Sequence, residues 1–436
     1  SKSDTSIKFM SIIKGAHQLF YDDNVNGEKS IRDLMKIFSL IILQPIFNDM
    51  DSNIRKECIK LKESFDNDKE YERFLSYCKD PLTISTDEDP LGEWNDLVSD
   101  FLVKVIPAYF NTSDSKLNCG KNCFINVIKY LLKIYELFEW DITKPYMNNY
   151  KRSLELYNGD MMGDINEYFK NKYGGTGKEL GQFFTPSQLI NSITVGLGVN
   201  DLIKDSGNSN LGDPCMGSAG LLVNCYHHNN NLHIYGGEVD ADTIKWSFQS
   251  ILLKTGEIST NLHNEDSLIN DDMIKGNRIT NPPFKIRMKY EQERKAYVKK
   301  YTDPTHTPKF EDIYPLKMND PEALFIQNCV YYLDDNCVCA IILPYGKIFE
   351  SKEDRYIKLR KWLFNQVDVI KLMLMPRGVF DYADPLTCTL VFVKRPTTNK
   401  LQFCKITKDC THITNLFTLT NDDVKTSVGW CGYSLA

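Results

Sequence analysis

Short apolar runs, bounded by glycines and separated by amphipathic helical stretches, fill the chain from about residue 210 onward, and no feature of the sequence restricts the fold more. The runs are "NLGD" (210–213), "LHIYGGE" (232–238), a third around Asn261 to Glu265, "RITN" (278–281), "VCAIILP" (338–344), "VDVIKLMLM" (367–375) and "TCTLVFVK" (387–394). Between most of them lie amphipathic helices such as Pro321 to Leu333. Strands alternating with helices predict an α/β fold with a mostly parallel sheet covered on both faces. The last two runs are joined only by "PRGVFDYADPL", too short for a helical crossover, so that pair is expected antiparallel.

The first part of the chain has another texture. In "SIRDLMKIFSLIIL" the residues Ile31, Leu34, Met35, Phe38, Ile41 and Ile42 follow the three-four spacing of one helix face, and "INVIKYLLKIYELF" (125–138) repeats the pattern. The expected division is an all-helical domain over 1–157, a sheet domain over 158–400 and a tail over 401–436.

Totals exclude little. With 42% hydrophobic and 25% charged residues in 436, the chain can bury two or three cores. The apolar stretch Ile37 to Phe47 is broken by Ser39, Gln44 and Pro45 and falls short of the roughly 20 residues of a membrane span, so it reads as a buried helix and no membrane partner is expected. No basic-then-apolar leader opens the chain, which makes the cytoplasm the default. Thirteen cysteines in no repeating spacing fit a reduced compartment. Cys119 and Cys123 in "NCGKNC" have no second ligand pair at finger spacing, so no metal is expected, and His227 and His228 read as a helix end. A net charge of −6 leaves a local basic face possible at "KIRMKYEQERKAYVKK" (285–300), which a solvated amphipathic helix explains as well.

Chemistry concentrates at the expected strand ends. In "LGDPCMGSAGLL" a strand ends at Asp213, a turn follows with Gly217, Ser218 and Gly220, and a helix opens. Small residues there let a ligand approach the backbone. Glu238 ends the next strand and Asp266 follows the third. Each acid taken singly is a cap or a loop residue. As a row along the carboxyl edge, Asp213 suits an amino group, Glu238 a ribose and Asp266 an adenine amine, and that set describes S-adenosylmethionine. The fourth strand runs into "NPPF", Asn281-Pro282-Pro283-Phe284. Stiff prolines hold the Asn281 side-chain oxygen and the Pro282 carbonyl as two acceptors for one planar amine, with Phe284 to stack on its ring. A base can reach such a pocket only flipped out of its duplex. The plainer reading is a Pro-Pro turn with a core phenylalanine.

The ordered set "GQFFTP" (181–186), "DPCMGSAG", "GGEVD", "EDSL", "NPPF", "AIILPYGKIF" (340–349) and "PRGVFDYADPLTCTLVF" (376–392) resembles the amino-group DNA methyltransferases. Within them it is most similar to the adenine-methylating modification subunit of type I restriction-modification systems, and the resemblance covers nearly the whole chain. It implies a Rossmann-like S-adenosylmethionine-dependent methyltransferase sheet of seven strands, the last antiparallel, behind the helical domain. It implies that Gln182, Phe184, Thr185 and Pro186 close over the cofactor's methionine end, with Asp213, Gly217 and Ser218 below it, Glu238 on the ribose and Asp266 on the adenine. Asn281, Pro282, Pro283 and Phe284 would take the target base, with Phe380 of "RGVF" on its other face. Implied partners are DNA, a separate specificity subunit or a fused recognition region, and a second copy of the same chain. Asn166 in "NEYF", the missing glycine before "CVCAIILP" and Lys285 depart from the family pattern without removing a proposed group. After Pro396 no DNA-reading domain is expected, so the chain alone should have little sequence preference. Methylation of a protein glutamine amide, of RNA adenine, and a non-catalytic module that kept the fold are the competing readings.

Overall fold

The computed structural model describes residues 3–95, 116–157, 160–173, 185–241, 243–255, 261–284, 286–380, 386–398 and 400–420, and the chain forms two compact units. One comprises Ser1–Leu180 with Asp240–Thr260, the other Gly181–Val239 with Asn261–Ala436.

The first unit is helical among its described residues. It includes α1 (Asp4–Asp22), started by Ser3, whose side chain accepts the Ser6 N–H, then α2 (Glu28–Asn48), α3 (Lys121–Leu131) and α4 (Met161–Tyr173). The expected apolar face of α2 is buried, but so are Asp33, Lys36, Ser39 and Gln44 on its other sides, which makes α2 a central helix and not a surface one. Its polar groups are satisfied from neighbouring chain: Asp33 Oδ2 accepts the N–H groups of Asn118 at 2.8 Å and Cys119 at 2.9 Å, and Gln44 donates to Lys79 O at 2.5 Å. The units therefore do not divide at residue 157. The first runs on to 180 and takes back the helix Thr243–Thr255, whose Gln249 Nε2 donates to Met35 O at 3.2 Å and Ser39 Oγ at 2.5 Å in α2.

The second unit is built on one sheet. Its strands are β1 (Asn210–Asp213), β2 (His233–Gly237), β3 (Leu262–His263), β4 (Asn277–Thr280), β5 (Val338–Pro344), β6 (Asp368–Met375), β7 (Thr387–Val393), β8 (Leu401–Ile406) and β9 (Ile413–Leu419). They lie in the order β3-β2-β1-β4-β5-β7-β6-β8-β9. From β3 to β5 neighbours are parallel, while β7 is antiparallel to both β5 and β6, as the short link before it required. Among the described residues the count is nine, not seven. The stretch expected as a tail from 401 supplies β8, parallel to β6, and β9, antiparallel to β8. Helices α5 (Gly220–His228), α6 (Tyr290–Lys300) and α7 (Pro321–Tyr332) belong to this unit. Every residue of β5 is buried, as a strand covered on both faces must be. No helix among the described residues is long and apolar enough to cross a membrane.

One cross-strand row fixes the centre of the sheet. Tyr235, Gly212, Arg278 and Cys339 pair in register across β2, β1, β4 and β5. A Cβ on Gly212 would lie inside the Tyr235 ring, so glycine is what lets that ring cross β1. Gly212→Val should lower the stability of the protein by about 1–3 kcal/mol through overpacking, read as a shift of the urea midpoint at unchanged slope.

Candidate functional site

In the sheet order the chain moves outward from β1 through β2 to β3 on one side and from β4 to β5 on the other. Loops leaving the carboxyl ends of β1 and β4 must therefore diverge, which opens a crevice between them. Asp213 ends β1 and Asn281 follows β4, so the two motifs singled out in the sequence flank this crevice.

The β1 side is tightly tied. Asp213 is 1% exposed and accepts the Cys215 N–H at 2.9 Å. Burial pushes its carboxyl up to about 7, opposed by hydrogen bonds from the Thr280 hydroxyl and the Cys215 N–H; the charge of Glu238 adds to the push and that of Arg278, the weakest influence, opposes it. In the turn beyond, Gly217 and Ala219 both take left-handed backbone, φ +53° and +63°, and the second opens α5. Met216 N–H donates to Gly237 O at 3.0 Å and Gly217 N–H to Glu238 Oε2 at 3.1 Å, so β2 holds the turn by backbone and carboxylate together. Glu238 is itself fixed on the other side, its N–H donating to His263 O at 3.0 Å. Ser218 is buried beside it in the sequence.

Further along the edge, Asp266 caps the turn Ser267–Ile269 by accepting the Leu268 N–H at 3.0 Å. The plainer reading of Asp266 as a cap accounts for that bond, and a second acid joins it: Glu293 of α6 hydrogen bonds Asp266. Burial and then the charge of Asp266 push Glu293 up to about 7. Nothing in the residue pattern hints at that partnership. The rest of α6 is a solvated helix anchored by the buried Tyr290 and Tyr297, with Arg294 paired to Glu311 and Lys300 to Glu265.

On the β4 side, Asn281 Nδ2 donates to Thr185 Oγ1 at 3.3 Å across 96 residues of sequence, joining "FTP" to "NPPF". Asn281 Oδ1 is shielded from solvent, Pro282 is buried, and Pro283 is half-buried. Phe284 and Phe380 are buried and meet edge to face, centroids 6.5 Å apart at 85°. Stacking on both faces of a planar base needs parallel rings about 7 Å apart, so one of the two must turn to admit it. Pro186 leads into the short helix Ser187–Asn191, while Gln182 and Phe184 lie outside the described residues. Among the described residues no three His, Cys, Asp or Glu side chains gather as metal ligands.

Sequence reasoning also missed Arg278, fully buried in the middle of β4. An arginine inside a strand otherwise read as core was the available signal.

The sequence model of the N-6 DNA Methylase family matches residues 157–433. The fold is similar to a chain from a structure of type I restriction-modification complex assembly and conformational transition, with TM-score 0.63 and 15% identity over 92% of this chain and 77% of that one. It is also similar to a Vibrio vulnificus protein assigned as the modification subunit of a type I restriction enzyme, with TM-score 0.60 and 17% identity over 93% and 85%. A type I restriction-modification methyltransferase subunit from Streptococcus thermophilus gives TM-score 0.57 and 17% identity over 92% and 87%. Comparison with curated protein sequences finds no match.

The raised Asp213 carboxyl has a measurable consequence. An unfolded aspartate ionises near 4 and this one near 7, so folding loses stability as pH rises through that window and levels off above it. Three units correspond to roughly 4 kcal/mol. Asp213→Asn should remove most of that decline, seen as a smaller difference between unfolding free energies at roughly pH 5 and pH 8 than in the wild type.

Proposed function

The chain belongs to the N-6 DNA methylase family and is a DNA methyltransferase for the N6 amine of adenine, and from that premise we propose that it works with S-adenosylmethionine as the modification subunit of a type I restriction-modification assembly. Its partners are then DNA, a specificity subunit or fused recognition region, and a second copy of the chain. The names of the solved neighbours support that assembly.

The strand tips fit a cationic adenosine-bearing cofactor. Two buried carboxylates, Asp213 and Glu238, stand where positive charge and hydroxyl donors are wanted, and left-handed Gly217 and Ala219 shape the buried turn between them. Asp213 would hold the amino group, with Gly217 and Ser218 under the methionine end and Thr185 and Pro186 over it, joined by Gln182 and Phe184. Glu238 would hold the ribose and Asp266 the adenine amine. Bound there, S-adenosylmethionine supplies an electrophilic sulfonium methyl.

This chain's own catalytic work is done by oxygen acceptors. Asn281 Nδ2 donates to Thr185 Oγ1, and its Oδ1 is the acceptor the side chain would turn to a substrate amine. Oδ1 and the Pro282 carbonyl each hold one hydrogen of the N6 amine, which draws the nitrogen from planarity toward a nucleophilic geometry. As the nitrogen gains positive charge both hydrogen bonds strengthen, so they favour the transition state over the ground state. The prolines hold both acceptors in place beforehand. Phe284 stacks on the flipped base and offsets part of its unstacking, with Phe380 closing the pocket once it turns.

The observation that carries this reading is the Asn281–Thr185 hydrogen bond beside the crevice. Labelled methyl should enter adenine in duplex DNA, with little sequence preference until a specificity partner is added, and should not enter RNA or glutamine peptides. Asn281→Ala should lower transfer by on the order of 100-fold or more while S-adenosylmethionine still binds. An Asn281→Ala protein that methylates at the wild-type rate ends the assignment.

A further inference from the structure

Residues 286–289 lead, without helix or strand, from the proposed target-base pocket into α6. Before them Phe284 is buried against Phe380, and after them Tyr290 is buried, its N–H donating to Asn319 Oδ1 at 2.9 Å and its hydroxyl to Tyr314 O at 2.8 Å. Met288 packs on the hydrophobic core between these anchors. Pinned in this way, the segment turns Ile286, Arg287 and Lys289 outward, all three exposed. Neither Arg287 nor Lys289 forms an ion pair among the described residues, whereas Arg294 and Lys300 of α6 are paired to Glu311 and Glu265.

A single aliphatic side chain on a surface needs no explanation, and Val298 of α6, 53% exposed, is one. Ile286, 48% exposed, differs in its neighbours. It stands between the buried aromatic of the pocket and two cations without acidic partners among the described residues, in a protein of net charge −6. Two residues of chain span at most about 7 Å, so the backbone of Ile286 lies within about two base-pair steps of that of Phe284. Cations so placed suit phosphates, and an aliphatic side chain beside them suits the faces of bases. We propose that Ile286 enters the base stack as the adenine leaves it and fills the vacated slot, with Arg287 and Lys289 on the flanking phosphates. No covalent bond changes in this step. Burial of Ile286 between bases offsets part of the unstacking from the duplex side, as Phe284 does from the pocket side. Ile286 is therefore a positioning residue: it keeps the adenine in the pocket and does not touch the reacting atoms. The anchors on either side hold it out before DNA arrives.

The inference rests on the target-base reading given above, and two measurements keep them apart. In the first, labelled methyl is transferred to a duplex with a single A·T pair among G·C pairs, and to the same duplex with an abasic site opposite the adenine. Ile286→Ala should lower transfer to the paired adenine by on the order of tenfold, and transfer to the unpaired adenine by far less, because no pair has to be broken there. Ile286→Leu should restore transfer, and Val298→Ala should leave both substrates at the wild-type rate. In the second, fluorescence anisotropy compares the paired duplex with one that has an abasic site in place of the adenine, where the slot is already empty. The wild type should bind the emptied duplex about tenfold tighter, and Ile286→Ala should lose that preference while still binding the paired duplex. Arg287→Ala and Lys289→Ala should each weaken both duplexes alike and lower the slope of log affinity against log salt by about one. An equal loss of transfer on both substrates, or no loss on the paired one, overturns the role of Ile286. So does a wild type that binds the emptied duplex no better than the paired one. A wild type that transfers methyl to neither substrate refutes the target-base reading, and the binding preference still decides the role of Ile286.

Discussion

The reversal of strand order between β1 and β4 is the constraint on which the rest of the second unit depends. Two parallel neighbours whose successors lie on opposite sides send their loops apart, and the gap needs no loop sequence of its own to exist. What the sequence adds is a way of lining the gap without filling it. Gly217 and Ala219 keep the first loop close to the backbone, and the two prolines after Asn281 keep the second from folding inward. The Asn281–Thr185 hydrogen bond then ties the β4 loop to the segment that enters this unit.

Lining a crevice with buried acids carries a cost that the surrounding chain only partly offsets. Asp213 takes the Cys215 N–H, Glu238 takes the Gly217 N–H, and Asp266 caps a turn while hydrogen bonding Glu293. Each acid thus has a structural task that holds it in place and a remaining capacity to accept. Full satisfaction within the protein would remove the attraction for a ligand, while none at all would drive the carboxylates to stay protonated. Asp213, with a carboxyl near 7, sits at the balance.

Much of this was legible in the sequence because burial writes itself into composition. "NLGD" and "VCAIILP" coincide with β1 and β5, since a strand buried on both faces is an unbroken apolar run and ends where polarity returns. The antiparallel β7 followed from the length of one linker. Where burial is one-sided or absent the signal fails: β9 is exposed along most of its length, so "ITNLFTL" read as tail. In α2 the stretch Ile37 to Phe47 was legible as buried, while the burial of Asp33 was not, because its partners, Asn118 and Cys119, lie far away in the chain. At the site, the acids and the "NPPF" loop were visible as residue types at strand ends. The pairing of Glu293 with Asp266 was not, because it depends on how α6 turns one face of a charged helix inward. Gln182 and Phe184 lie outside the described residues, so their expected places stay with the resemblance alone.

The helix Thr243–Thr255 shows why domain boundaries read from texture misplace function. It follows β2 in the manner of any sheet-covering helix, yet its buried Gln249 hydrogen bonds the α2 backbone and its packing belongs to the first unit. Asp240 starts it, accepting from the N–H and hydroxyl of Thr243 at 2.7 and 2.6 Å. Only Val239, 65% exposed, separates this anchored aspartate from Glu238, which is anchored in turn to Gly217 and His263. Held by Gly217 and His263 within its own unit, Glu238 has few conformations left to lose and is ready before any ligand arrives.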